Sequence, residues 1–225
     1  MSRTADLTWP QARARGGRVL VVPLGATEQH APHLPLSTDT DVARALASRL
    51  AGRRSDVDVA PAVPYGASGE HAGFPGTLSV GQEALELLLV ELVRSATSTW
   101  RRVVLLSAHG GNAAPLRRAV ARLRAESRDV RAWSPSWPGD AHAGRTETSL
   151  QLALSPQRVL LAHAVAGATA PLADLLPQLT AGGVAAVSPT GVLGDPAGAS
   201  AAEGERLLDA AVDALHRWLG PAEAA

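Results

Sequence analysis

Short apolar runs rich in valine and leucine alternate with longer segments of helical period along most of this chain. That alternation constrains its fold more than any other feature. Residues 18–24, 57–63, 102–107 and 130–133 read as strands. Helical stripes read over 39–51, where Val42, Leu46 and Leu50 share a face, and up to 97, where Leu85, Leu88, Leu89 and Leu92 do. Further helices read over 113–127, 146–154 and 201–219. Ser79 with Gln82 looks like a capping box opening the helix that ends near 97. Residues 184–187 read as another short strand, and the remainder of 156–198 is hard to assign. The expected fold class is α/β, a three-layer α/β/α arrangement with a mostly parallel sheet covered on both faces. With 225 residues and no repeat, linker or low-complexity tract, a single domain over 1–225 is expected, its polar first seventeen residues disordered.

Absent residue types narrow the chemistry. There is no cysteine, which excludes thiolate catalysis, disulfides and thiolate-bound zinc. Every basic residue is arginine or histidine, so lysine Schiff bases and the lysine of a phosphate loop are excluded too. A bound metal must use His, Asp, Glu or water, a set that suits zinc, manganese or iron(II). Formal net charge is zero, so no basic field draws nucleic acid or an anionic membrane. The polar first seventeen residues hold no apolar core of a signal peptide, and a cytoplasmic location is expected.

In folds of this class ligands bind beyond the carboxyl ends of the strands. Glu28, His30, Glu70, His71 and His109 all follow expected strands, so the sheet should gather them at one edge. Glu28, His30 and Asp39, placed together after a buried run, point to metal binding, although Asp39 alone would serve as a helix N-cap. The turn His109-Gly110-Gly111-Asn112 fits either a ligand-approaching loop or an anion site at a helix N-terminus. Glu70 and His71 fit a substrate-facing loop or surface ion pairing. His142 could act as general acid or base, and Glu147 sits where a helix start favours a carboxylate whatever its function. Trp137 could wall an aromatic pocket or simply pack in the core.

Taken jointly, these motifs resemble the creatininase (creatinine amidohydrolase) family. The matching pieces are Gly25-Ala-Thr-Glu28-Gln-His30 with Pro32-His33-Leu-Pro-Leu and Asp39, and Tyr65-Gly-Ala-Ser68-Gly-Glu70-His71 with Phe74-Pro-Gly-Thr77. His109-Gly-Gly-Asn112, His142-Ala-Gly and Glu147-Thr-Ser149 complete the set. The resemblance implies two divalent ions, one held by Glu28, Asp39 and His109 and the other by His30, Asp39 and Glu147, with a hydroxide bridging them. Creatininase has a ligand glutamate two residues after the histidine matched by His109. Gly111 stands there in this chain, so Glu147 is taken to supply that carboxylate. Other departures are Ala31, where glycine usually follows the Glu-Gln-His motif, Ser37, and Ser107-Ala108.

The implied reaction is hydrolysis of an amide C–N bond. His142, or alternatively Glu70 or His71, would deliver a proton to the leaving nitrogen, while Ser68, the backbone near Gly110 and Trp137 would orient the substrate. The late segments Gly182–Asp195 and Ala201–Arg206 are similar to a subgroup acting on a C-terminally modified precursor peptide. That implies release of a cyclised Val-Tyr unit. The alternatives are a small cyclic amide such as creatinine as substrate, or a non-catalytic protein that presents the modified peptide. Family members form ring-like homo-oligomers, hexamers or larger, and the same is expected here.

Overall fold

A computed structural model describes residues 3–222. Its centre is a four-stranded, wholly parallel sheet in the order β2–β1–β3–β4, formed by Val19–Leu24 (β1), Val57–Val59 (β2), Arg102–Ser107 (β3) and Val130–Trp133 (β4). The helices are Trp9–Arg13 (α1), Thr38–Arg53 (α2), Gln82–Ala96 (α3), Ala113–Ala125 (α4), Arg145–Leu154 (α5), Leu172–Val187 (α6) and Ala201–Leu219 (α7).

All six residues of β1 are buried, as expected of a central parallel strand with both faces covered. Successive residues point to opposite faces. Val19 and Val21 join Val57, Val104 and Leu106 in a core with α2, α5 and α7. Leu20, Val22 and Leu24 join Val103 and Leu105 in a second core with α3 and α4. The expected three layers are therefore present. The chain leaves β1 for α2 on one face and leaves β3 for α4 on the other, although β1 and β3 are neighbours. The loops after these strands consequently part, and a crevice opens at their carboxyl ends.

Several local expectations are corrected. The leading segment, expected to be disordered, forms a 3₁₀ turn at Thr4–Asp6 and then α1. Its end is tied to the sheet: the fully buried Asp58 of β2 accepts from Arg15, Arg18 and the Trp100 indole at 2.9–3.0 Å. Ser79 forms no capping box. Its hydroxyl oxygen accepts the N–H groups of Ser68 and Gly81, and Gly81 caps α3. Residues 184–187 are not a strand but the last turn of α6, after a break at Gly183 where φ is 69°. That helix packs against the 3₁₀ turn Gly69–His71, which places it over the crevice. No helix among the described residues is long and apolar enough to cross a membrane.

Candidate metal centre

Four loops deliver polar side chains to the crevice. The loop after β1 carries Glu28 and His30 and runs into α2, whose first turn holds Asp39. The loop after β2 carries Glu70 and His71, β3 ends at His109, and the loop after β4 brings His142 and then Glu147 in the first turn of α5. Both Asp39 and Glu147 thus sit at helix N-termini, where the peptide dipoles favour negative charge. Strand β1 stops at Leu24, so Glu28 and His30 meet through an extended loop rather than through shared strand pleat.

Glu28, His30, Asp39 and His109 are all buried, and His30 has no exposure at all. Asp39 lies between two imidazoles: its Oδ1 is 3.3 Å from His30 Nε2 and its Oδ2 is 3.3 Å from His109 Nδ1. Glu28 Oε2 is 3.2 Å from His109 Nε2, and Glu147 Oε2 is 3.8 Å from His30 Nε2. Glu28, Asp39 and His109 each offer a ligand atom within 4.8 Å of the other two, and so do His30, Asp39 and Glu147. Glu28, His30 and His142 form a third such group.

The donor set fits metal ions. Among the described residues, six buried side-chain polar atoms lack a hydrogen-bond partner, and four of these are Glu28 Oε1, Glu28 Oε2, His30 Nε2 and Asp39 Oδ2. An unpaired buried polar atom costs ~1–3 kcal/mol, more when charged, so concentrating four in one cluster makes sense if cations complete it.

Charge shifts reflect the same crowding. Burial works against protonation of His30, yet Asp39, Glu147 and Glu28 reverse it and push the pKa up to about 10. Burial likewise opposes a charged His109, and Asp39 and Glu28 carry it well above its ordinary value. Burial would raise Asp39, but His30 and His109 hold it far below the usual carboxylate range. Glu147 is pushed up to about 7 by burial, against the pull of His30 and with the help of Asp39. His71 is lowered to about 4, chiefly by burial. Burial and the neighbouring His30 and His71 keep His142 well below its ordinary value, hence neutral.

Above this cluster lies a cleft of about 650 Å³ lined by Glu28, Asp39, Glu70, His71, His109, Gly110, Trp137, His142 and Glu147, with Leu172, Leu176 and Leu179 of α6 on its far wall. Ser68, expected to orient substrate, is fully buried beneath His109, its hydroxyl 3.4 Å from Nε2, and does not line the cleft. Gly111 admits no side chain: a Cβ there would come 2.2 Å from the Ala67 carbonyl oxygen.

Three contributors have roles that only tertiary contacts reveal. Asn112 holds the N-cap position of α4 without a side-chain capping bond; its side chain instead accepts from Ala67 N–H and donates to the Gly25 carbonyl and Ser107, joining the loops after β1, β2 and β3. Gln29, placed between two candidate ligands, contacts both His71 and His142. The α6 wall lies in the stretch that the sequence leaves hard to assign.

The creatininase (creatinine amidohydrolase) family model matches residues 5–219. The mycofactocin precursor peptide peptidase of Mycolicibacterium smegmatis is 54% identical over 211 residues, covering 89% of this chain and 85% of its own length. The protein of that name from Mycobacterium tuberculosis is 53% identical over 215 residues, with 89% and 85% covered. Among solved structures, a mutant creatininase of Zn–Zn type superposes with a TM-score of 0.79 at 28% identity, covering 98% of this chain and all of that one. A manganese creatininase does so equally well.

Proposed function

Because the chain belongs to the creatininase family, we propose that it is a metal-dependent amidohydrolase that cuts a C–N bond in the modified mycofactocin precursor peptide. The released product would be the cyclised C-terminal Val-Tyr unit. The observation that carries the hydrolytic part is the position of Asp39, one oxygen toward each of two ligand groups, in a cluster with four orphaned polar atoms.

In this reading Glu28, Asp39 and His109 hold one divalent ion, and His30, Asp39 and Glu147 hold the other. Such a pair, zinc, iron(II) or manganese, would supply Lewis acidity to the amide carbonyl and acidify a shared water. The protein's own groups do the rest. His142, neutral and lining the cleft, takes a proton from the attacking water and returns one to the leaving nitrogen. Glu70, its pKa raised by burial, and His71 stand on the same rim as alternative carriers. The backbone at Gly110 and the ring of Trp137 line the space where the scissile amide and an aromatic side chain would lie.

A peptide substrate is favoured over a small cyclic amide by the shape of the surface. Beside the cleft lies a second groove of about 780 Å³, and Trp137, Ala141, Leu172 and Leu193 line both. Creatinine would leave that space empty, whereas the chain upstream of the cleavage point would occupy it. Exposed Leu160, Leu161, Val165 and Leu172 support the further proposal of a homo-oligomer, to be read by native mass spectrometry.

Mass spectrometry of products from the decarboxylated, cyclised precursor peptide tests the function. Release of the cyclised dipeptide, stopped by chelator and restored by zinc or manganese, is expected. Turnover of creatinine alone would favour the small-amide reading, and tight peptide binding without cleavage by metal-loaded protein would favour a presenting protein.

A further inference from the structure

Gln29 is buried, belongs to neither proposed ligand triad, and touches both histidines on the rim of the cleft. Its Oε1 accepts the Ala31 N–H at 2.9 Å, which settles the end of the amide that carries oxygen. Its Nε2 then has three neighbours: His71 Nδ1 at 2.8 Å, His142 Nε2 at 3.0 Å and the Gly191 carbonyl oxygen at 3.3 Å. An amide nitrogen has only two hydrogens, so one of these contacts is not a hydrogen bond.

The backbone decides which. His142 Nε2 is also 2.9 Å from the Gln29 carbonyl oxygen, which can only accept. That ring nitrogen therefore carries a hydrogen and cannot accept from the side-chain amide. The two amide hydrogens go to His71 Nδ1 and Gly191. Accepting at Nδ1 leaves His71 with its proton on Nε2, the nitrogen 3.2 Å from Glu28 Oε1. His142 keeps its lone pair on Nδ1, the nitrogen on the Glu147 side, 3.8 Å from Oε2.

We propose that Gln29 is a positioning residue that sets the ring tautomers of His71 and His142 together, leaving His142 Nδ1 as the nitrogen that exchanges protons during hydrolysis. The catalytic half of this statement rests on the proposed function; the tautomer half does not. The arrangement also explains Gly191 in the late segment of the chain. A Cβ there would lie 2.0 Å from Gln29 Oε1, and its φ of 79° suits glycine.

The test is long-range proton–nitrogen correlation NMR on full-length protein with labelled histidine, loaded with diamagnetic zinc and again after chelation. His71 and His142 are both expected to be protonated on Nε2 in both states. Gln29→Glu keeps the shape but presents only acceptors, and is expected to move the His71 proton to Nδ1. It should lower kcat roughly 10–100-fold with KM changed less than about threefold, as for other groups that orient an active residue. Gln29→Met, which neither donates nor accepts there, should leave His71 a mixture of tautomers. Protonation of either ring on Nδ1 in the unaltered protein overturns the assignment without any variant. An unchanged His71 tautomer in folded Gln29→Glu or Gln29→Met overturns the role of Gln29. Correct tautomers in a protein that cleaves nothing would instead remove the proposed function and leave the assignment standing.

Discussion

The carboxylate of Glu70 occupies the space into which a side chain on Gly111 would project: a Cβ on Gly111 would lie 2.3 Å from Glu70 Oε1. Glu70 Oε1 lies 3.7 Å from His109, and Glu147, which the proposed reading makes the carboxylate ligand, lies near His30. Two adjacent glycines then behave differently. Gly111→Ala must displace the Ala67 carbonyl, the Glu70 carboxylate and the His109 ring and should cost about 1–3 kcal/mol of stability. Gly110→Ala meets nothing within 4 Å and should stay within about 0.5 kcal/mol of the parent. Urea unfolding of the two variants measures the contrast, and equal losses would contradict it.

If Asp39 bridges two ions as proposed, removing it should affect both at once. With one oxygen near His30 and the other near His109, Asp39→Ala takes a ligand from each triad. The expected result is a loss of metal from both sites and a fall in turnover beyond the roughly 10–100-fold typical of an outer-shell change. Elemental analysis of the purified variant reads it directly. One ion at full occupancy with normal turnover would show that Asp39 does not bridge.

The site was legible in the sequence wherever a motif followed a strand, because a parallel sheet gathers its strand ends whatever their separation along the chain. Glu28, His30, Asp39, His109, His142 and Glu147 converge for that reason. The α6 wall was not legible. Its Leu172, Leu175, Leu176 and Leu179 keep a helical stripe of only two turns, interrupted by Pro177 and ended by the break at Gly183, and the β-branched ends of 184–187 imitate a strand. Ser68 misled for a different reason: a hydroxyl next to a motif histidine reads the same whether it faces substrate or lies beneath the ring. Gln29 and Asn112 act through amides whose partners are fixed only by tertiary contacts.

The leading segment should contribute to stability through Asp58. This carboxylate has no exposure and holds Arg15, Arg18 and the Trp100 N–H at once. Asp58→Ala would leave the indole N–H without its acceptor and two arginines facing one another. Because both arginines keep roughly a quarter of their exposure, the cost should fall below that of a fully buried pair, at about 2–3 kcal/mol. Chemical unfolding gives the value. Proteolysis near Arg13 should accelerate in the variant, whereas unchanged cleavage and stability would mean that the segment is not anchored there.

Two non-glycine residues in the left-handed region offer a matched pair of stabilising changes. Ser127 has φ of 59° just past α4, where Arg128 N–H bonds to the Leu123 carbonyl and Ser127 N–H to that of Arg124, a helix ending that favours glycine. Ala31 has φ of 60° in the loop between β1 and α2, beside Gln29 and His30. Left-handed backbone costs an ordinary residue about 1–2 kcal/mol, and the added freedom of glycine in the unfolded chain returns about 0.4–1 kcal/mol of that. Ser127→Gly and Ala31→Gly should therefore each raise stability by about 0.5–1 kcal/mol. In Ala31→Gly the backbone N–H that Gln29 accepts is retained, so kcat should remain within about twofold. A stable Ala31→Gly variant with much reduced kcat would show that the alanine methyl, rather than the loop's backbone, holds Gln29 in place.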